Sequence, residues 1–242
     1  MRTRIRHGLA AVLAVSALSL TAACGGASDD DAAKGTDKPA AATTAAEPTS
    51  AAPAVPLTAD AMKAAVLEAK DLPSGWKAGK AKSDQSTYTT DEPACEPLTS
   101  LLADKVAGAT TGASVHFERG NGDSTLDQQV LTLPGTGAAD RVKAIGTALD
   151  TCTGFTGEME GMKMKITLQK LTAPQGAEQV QTFRMKMNIA EYDITAESNV
   201  LVAAQGTGLT RFAHVPANAS GHKDFDGVAK IVVEKFAKAA QG

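Results

Sequence analysis

Two stretches of this 242-residue chain alternate between apolar and polar positions. Met162, Met164, Ile166 and Leu168 alternate with Lys163, Lys165, Thr167 and Gln169. Phe183, Met185, Met187 and Ile189 alternate with Arg184, Lys186 and Asn188. A period of two sends each set to one face of a strand, one packed and one wet, as in an antiparallel sheet. Residues 113–119 repeat the pattern, with Val115 and Phe117 on one face and His116 on the solvent side. Gly120-Asn121-Gly122-Asp123 then turns the chain into a returning strand, Leu126 to Leu133. Ile194 to Ala203 and Leu209 to Val215 add two strands around Gly206-Thr207-Gly208.

Between these lie segments of helical period. Thr58 is placed to cap a helix running through Ala69. Pro97 fits the first turn of a second helix, from Cys95 or Glu96 to Val106, with Leu98, Leu101, Leu102 and Val106 at helical spacing. Gly137 to Thr151 buries Val142, Ile145 and Leu149. Asp224 to Ala240 buries Val228, Ile231, Val232 and Phe236. The order is helix, helix, two strands, helix, four strands, helix. It predicts an α+β domain at 57–242: a curved antiparallel sheet of about six strands with helices packed on one face.

The first 56 residues read differently. Arg2, Arg4 and Arg6 precede an apolar stretch from Leu9 to Leu20, which is shorter than the roughly 20 residues that span a bilayer. Small residues follow, then Cys24. This is the layout of a lipoprotein signal peptide, 1–23, removed on export. Cys24 is expected to carry acyl chains that hold the protein on the outer face of the cell membrane. Residues 24–56 are rich in Ala, Thr, Ser and Pro and lack aromatics. Such a segment buries too little apolar surface to offset chain entropy, and a disordered tether is expected.

Charge narrows the partners. Cleavage removes three arginines, leaving 21 basic residues against 27 acidic ones, a net charge near −6. That balance argues against nucleic acid. Two cysteines remain, Cys95 and Cys152; an even remainder in an oxidising compartment predicts a disulfide between them.

Catalytic material is sparse. No G-x-S-x-G, H-E-x-x-H or telling carboxylate pair occurs. Glu158 and Glu160 read as a solvated, Gly-bounded turn. The chain is therefore expected not to be an enzyme and to need no cofactor or metal. The methionines are the sharpest oddity. Met162, Met164, Met185 and Met187 share apolar strand faces, where flexible thioethers either fill a core or line a pliable ligand cavity. Trp76, the only tryptophan, follows Pro73-Ser74-Gly75 and either plugs a core edge or offers a ligand platform. Lys163, Lys165, Arg184 and Lys186 could gather into a basic patch for anionic headgroups or cell-wall polymer.

The Asp71-Leu72-Pro73-Ser74-Gly75-Trp76 element, the pair Cys95 and Cys152, and the element order resemble the extracellular sensor domain of PknH-type serine/threonine kinases. The signal and tether resemble those of actinobacterial surface lipoproteins. The resemblance implies a central antiparallel sheet, disulfide bonding and a cleft for an unidentified ligand. The chain departs from that family in having cysteines for one domain disulfide rather than two. The function expected is a membrane-anchored, sensor-like domain that binds a small molecule, lipid or envelope partner. The alternative is a carrier of a lipid or other apolar molecule.

Overall fold

The computed structural model describes residues 56–80 and 87–241. The signal peptide, Cys24 and the tether up to residue 55 lie outside the described residues. In chain order the elements are α1 (Ala59–Ala65), β1 (Lys77–Ala78), β2 (Tyr88–Thr90), α2 (Glu96–Thr99), β3 (Thr110–Arg119), β4 (Ser124–Thr132) and α3 (Gly137–Thr151). Then come β5 (Gly154–Met159), β6 (Met162–Lys170), β7 (Gln179–Ile189), β8 (Ile194–Gln205), β9 (Gly208–Val215) and α4 (His222–Gln241). All nine strands form one open antiparallel sheet in the order β1-β3-β4-β9-β8-β7-β6-β5-β2. Strands β5 to β9 form a meander, and α3 carries the chain from β4 across the sheet to its start.

The sheet therefore has nine strands where the hydropathy pattern predicts about six. Strands β1 and β2 span two and three residues, too few to display a period. Strand β5 hides behind its glycines. Only Phe155 and Met159 mark its packed face, because the position between them is Gly157. Gly154 is required there: a Cβ on it would stand 2.7 Å from the Ile166 carbonyl oxygen. The turn expected around Glu158 shrinks to Glu160 and Gly161, both at positive φ (50° and 85°), and joins a Met159–Met162 pair. That is the two-residue hairpin geometry whose twist matches its strands.

Helices cover both faces, not one. The run Val200 to Ala204 in β8 is apolar at consecutive positions, so each face needs its own cover. Val202 and Ala204 join Val142, Ile145 and Leu149 of α3 in one core, with Met164, Ile166 and Phe183. Leu201 and Ala203 join Phe225, Val228, Val232 and Phe236 of α4 in another, with Met62 of α1 and Leu126 and Phe212 from the sheet.

Two helices end earlier than their spacing predicts. Helix α1 stops at Ala65 because a side chain takes over its last bonds. Gln128 Nε2 donates to the Ala65 carbonyl (3.1 Å), and Gln128 Oε1 accepts from the Leu67 amide (2.8 Å). Helix α2 ends at Thr99, and the chain beyond it runs as a loop whose carbonyls are bound by Arg211. The disulfide is present: Cys95 caps the start of α2, Cys152 the end of α3, with Sγ atoms 2.00 Å and Cα atoms 5.6 Å apart.

Candidate functional site

The helices are staggered across the sheet. Helices α1 and α4 cover one face of β3, β4, β9 and β8, whereas α2 and α3 cover the opposite face of the β5 to β8 half. Among the described residues, nothing covers two areas of the sheet. One is the α3-side face of β3, β4 and β9. The other is the α4-side face of β5, β6 and β7.

The first area is a groove of about 750 Å³. Strand register builds its floor. His116, Asp127, Ala213 and Val200 stand in one row across β3, β4, β9 and β8. Ser114, Gln129 and Arg211 stand in the next. Glu118 and Thr125 form a third row, toward the Gly120–Asp123 turn. Leu101, Leu102 and Asp104, from the loop after α2, make one wall; Met185 and Val200 close the apolar end.

Arg211 builds that wall. Its Nη1 donates to the carbonyls of Leu101 and Ala103, and its Nη2 to that of Asp104. Burial pulls the guanidinium pKa down, and neighbouring Arg141 adds to this; Asp104 and Asp127 oppose it. Three carbonyls that a longer α2 would have spent on its own backbone are satisfied by one side chain.

His116 is in the groove rather than in solvent. Its side chain is 11% exposed, and its Nδ1 lies 2.7 Å from Asp127 Oδ1. Edge strand β1 covers the ring. A Cβ on Gly79 would stand 2.8 Å from His116 Cδ2. An Asp carboxylate at Nδ1 makes that nitrogen the donor in the neutral ring, which leaves Nε2 as an acceptor. Gln129 Oε1 is buried with no hydrogen-bond partner.

The second area holds the basic residues expected on one face. Lys163, Lys165 and Lys186 are exposed there, with Arg184 beside them. Their charge is partly answered locally. Lys163 opposes Glu158 in register, and Lys186 pairs with Glu197 at 3.3 Å. Arg184 Nε donates to Asn199 Oδ1 (3.1 Å), and Asn199 and Glu197 both bond His222 at the start of α4 (2.9 and 3.2 Å). Burial would raise the Glu197 pKa, but hydrogen bonds from Lys186 and His222 outweigh it and hold the carboxyl below the ordinary range.

The methionines and Trp76 are not brought together. Met164 and Met185 are buried in the α3-side core, with Met187 packed against it, and Met162 is partly buried in the same strand as Met164. Of these four, only Met185 reaches the groove. Trp76 lies in the other core, 7% exposed, with the Arg119 guanidinium 4.7 Å above its ring. Arg119 pairs in turn with Asp224 of α4 at 2.6 Å. Beside Trp76 stands His214 of β9, fully buried, its ring 6.0 Å from the Trp76 ring and stacked at 6.5 Å on Phe225. Both its ring nitrogens lack partners, as does Trp76 Nε1. Burial drives the His214 pKa down to about 4.

Of the groove residues, sequence reading singled out only Met185 as a candidate for ligand contact, and none of the polar ones. His116 and Asp127 are eleven residues apart, and only the β3–β4 register makes them neighbours. The one signal available was a polar run, Asp127-Gln128-Gln129, inside a strand whose flanks, Leu126 and Val130-Leu131, are apolar.

The fold is similar to that of the extracellular domain of PknH from Mycobacterium tuberculosis. The TM-score is 0.53 at 15% identity, over 78% of this chain and 98% of that domain. An uncharacterized protein of Mycobacterium smegmatis, the Rv0999 ortholog, aligns with a TM-score of 0.39 at 10% identity, over 72% and 93% of the two chains. No family model and no curated protein matches the sequence. At this identity the first likeness shows a shared fold. Among the described residues, no helix is long and apolar enough to cross a membrane.

Proposed function

We propose that this protein is a non-enzymatic, extracytoplasmic binding domain that takes its ligand in the groove over β3, β4 and β9. The groove carries this reading: it is large enough for a small molecule, with polar groups converging at one end and aliphatic ones at the other. Its open shape suits a sensor-like or partner-binding role better than enclosed carriage of a lipid. The fold shared with the PknH extracellular domain supports the same compartment and role. The His116–Asp127 pair resembles part of a hydrolase, but no hydroxyl or thiol is hydrogen-bonded to the ring among the described residues. In this reading acyl chains on Cys24 hold the domain at the outer face of the membrane, and residues 24–56 set its distance from the bilayer.

Ala213 sits on the groove floor, so Ala213→Trp should fill it. The test is native mass spectrometry of exported protein after exposure to a small-molecule extract of the envelope. Wild type should carry an added mass that Ala213→Trp lacks, with equal thermal stability. An added mass that persists in the filled variant would place the ligand elsewhere. Separately, Cys24→Ser should move the protein from the membrane fraction to the soluble one.

A further inference from the structure

The hydrogen-bonding inventory of the groove is lopsided. Its strongest donor, Arg211, has both terminal nitrogens engaged by three loop carbonyls. The groups left over are mainly acceptors. Gln129 Oε1 is buried and partnerless. Asp127 spends Oδ1 on His116, and among the described residues no bond engages its Oδ2. Among the described residues, the side chain of Glu118, in the neighbouring row, has no hydrogen-bond or ion-pair partner, and Lys77 opposite it in register is not within ion-pair distance. His116 Nε2 is an acceptor in the neutral ring. Ser114, Thr125 and Ser198 can donate or accept and leave the sign unchanged. Among the described residues, carboxylates therefore outnumber arginines and lysines along the lining: Asp104, Glu118 and Asp127 against Arg211.

A carboxylate left unpaired in the groove is matched by a ligand that brings a charged donor. A ligand presenting acceptors would instead meet carboxylates and gain nothing. Beyond this polar end the groove turns apolar, along Leu101, Leu102, Val200 and Met185.

We infer that the groove takes a small amphiphilic amine: a protonated nitrogen facing Glu118 and Asp127, and an aliphatic or aromatic body along Leu101, Leu102 and Met185. This rests on the groove being the ligand site and specifies the ligand's chemistry. The charge-assisted bonds fix orientation, and the apolar wall adds affinity.

Four probes separate the contributions: octylamine, octanoate, octanol and ethylamine. Each is titrated below its aggregation concentration into the exported, disulfide-bonded chain, and binding is read by calorimetry and by amide shifts of β3, β4 and β9. Octylamine should bind at least tenfold more tightly than octanol and than ethylamine, with no binding of octanoate. Its affinity should fall with added salt. Asp127→Asn and Glu118→Gln should each weaken octylamine about tenfold, the loss of one charged hydrogen bond. Both positions are solvent-exposed, so the variants should keep the wild-type melting temperature. If octanoate or octanol binds the groove as well as octylamine, the amine assignment is overturned and the groove survives as a site. If ethylamine matches octylamine, the amphiphile is overturned. If none shifts the amides of β3, β4 and β9, both the amine and the groove fall.

Discussion

The two cores of this molecule share strands β4, β8 and β9 but are closed in different ways. The α3-side core is tied covalently: Cys95 and Cys152 join the start of α2 to the end of α3, across a sequence separation of 57 residues. The α4-side core is tied by polar contacts. Gln128 holds the end of α1, Arg119 pairs with Asp224, and Lys235 of α4 pairs with Asp71 at 2.6 Å. That core also buries His214, which has no hydrogen-bond partner for either nitrogen. A covalent tie is indifferent to acid, whereas a core holding a neutral histidine is not. The two faces of one sheet should therefore fail under different conditions.

Three measurements sharpen or break that contrast. The largest effect belongs to the disulfide. Cys95→Ala with Cys152→Ala removes a loop constraint worth about 4 kcal/mol in the chain-entropy model. Denaturant unfolding should show this loss, and hydrogen exchange should place the earliest opening in 137–151. Equal acceleration in α3 and α4 would mean that the tie serves the whole sheet instead.

Acid comes next. An unfolded chain protonates His214 below about pH 6.5, whereas the folded chain resists until about pH 4. Between these values the unfolded state binds the extra proton. The contribution is thus complete above pH 6.5 and is lost as pH falls toward 4, on the order of 3 kcal/mol. Asp224 favours the charged ring; His222 and Arg119 oppose it. His214→Phe should flatten the melting temperature between pH 7 and 4.5. Trp76, the only tryptophan and a neighbour of that ring, should report the same transition by fluorescence. An unchanged acid slope in His214→Phe would move the cause to other groups.

The smallest effect is at Gln128. Gln128→Ala orphans the Ala65 carbonyl and the Leu67 amide, at a cost of roughly 1–3 kcal/mol. Exchange should quicken at Leu67 and in α1 while α3 stays protected. A global change of equal size in both helices would contradict the division of the cores.

Much of this was legible beforehand, for identifiable reasons. Helix α3 matches its expected span, Gly137 to Thr151, because a full apolar stripe and terminal signals coincide. Strands β6 and β7 were visible because each is long enough to repeat a two-residue period several times. The lysine face of β6 and β7 followed from the same period. Glycine masked β5, and extreme shortness masked β1 and β2. The stop at Ala65 depended on Gln128, a side chain 63 residues away, which no local rule supplies.

The groove was the least legible feature. It exists because α3 and α4 cover opposite faces and neither reaches across the whole sheet, so one face of β3, β4 and β9 is left open. By itself, the sequence determined the local periods, the even cysteine remainder and the polar character of each exposed face, because those depend on residue identity and spacing alone. Only the tertiary structure decided that there are two cores, that His116 meets Asp127, and that Arg211 spends its nitrogens on loop carbonyls. Those outcomes depend on strand register and helix placement. A hydropathy period says which residues share a face, but not what will come to lie upon it.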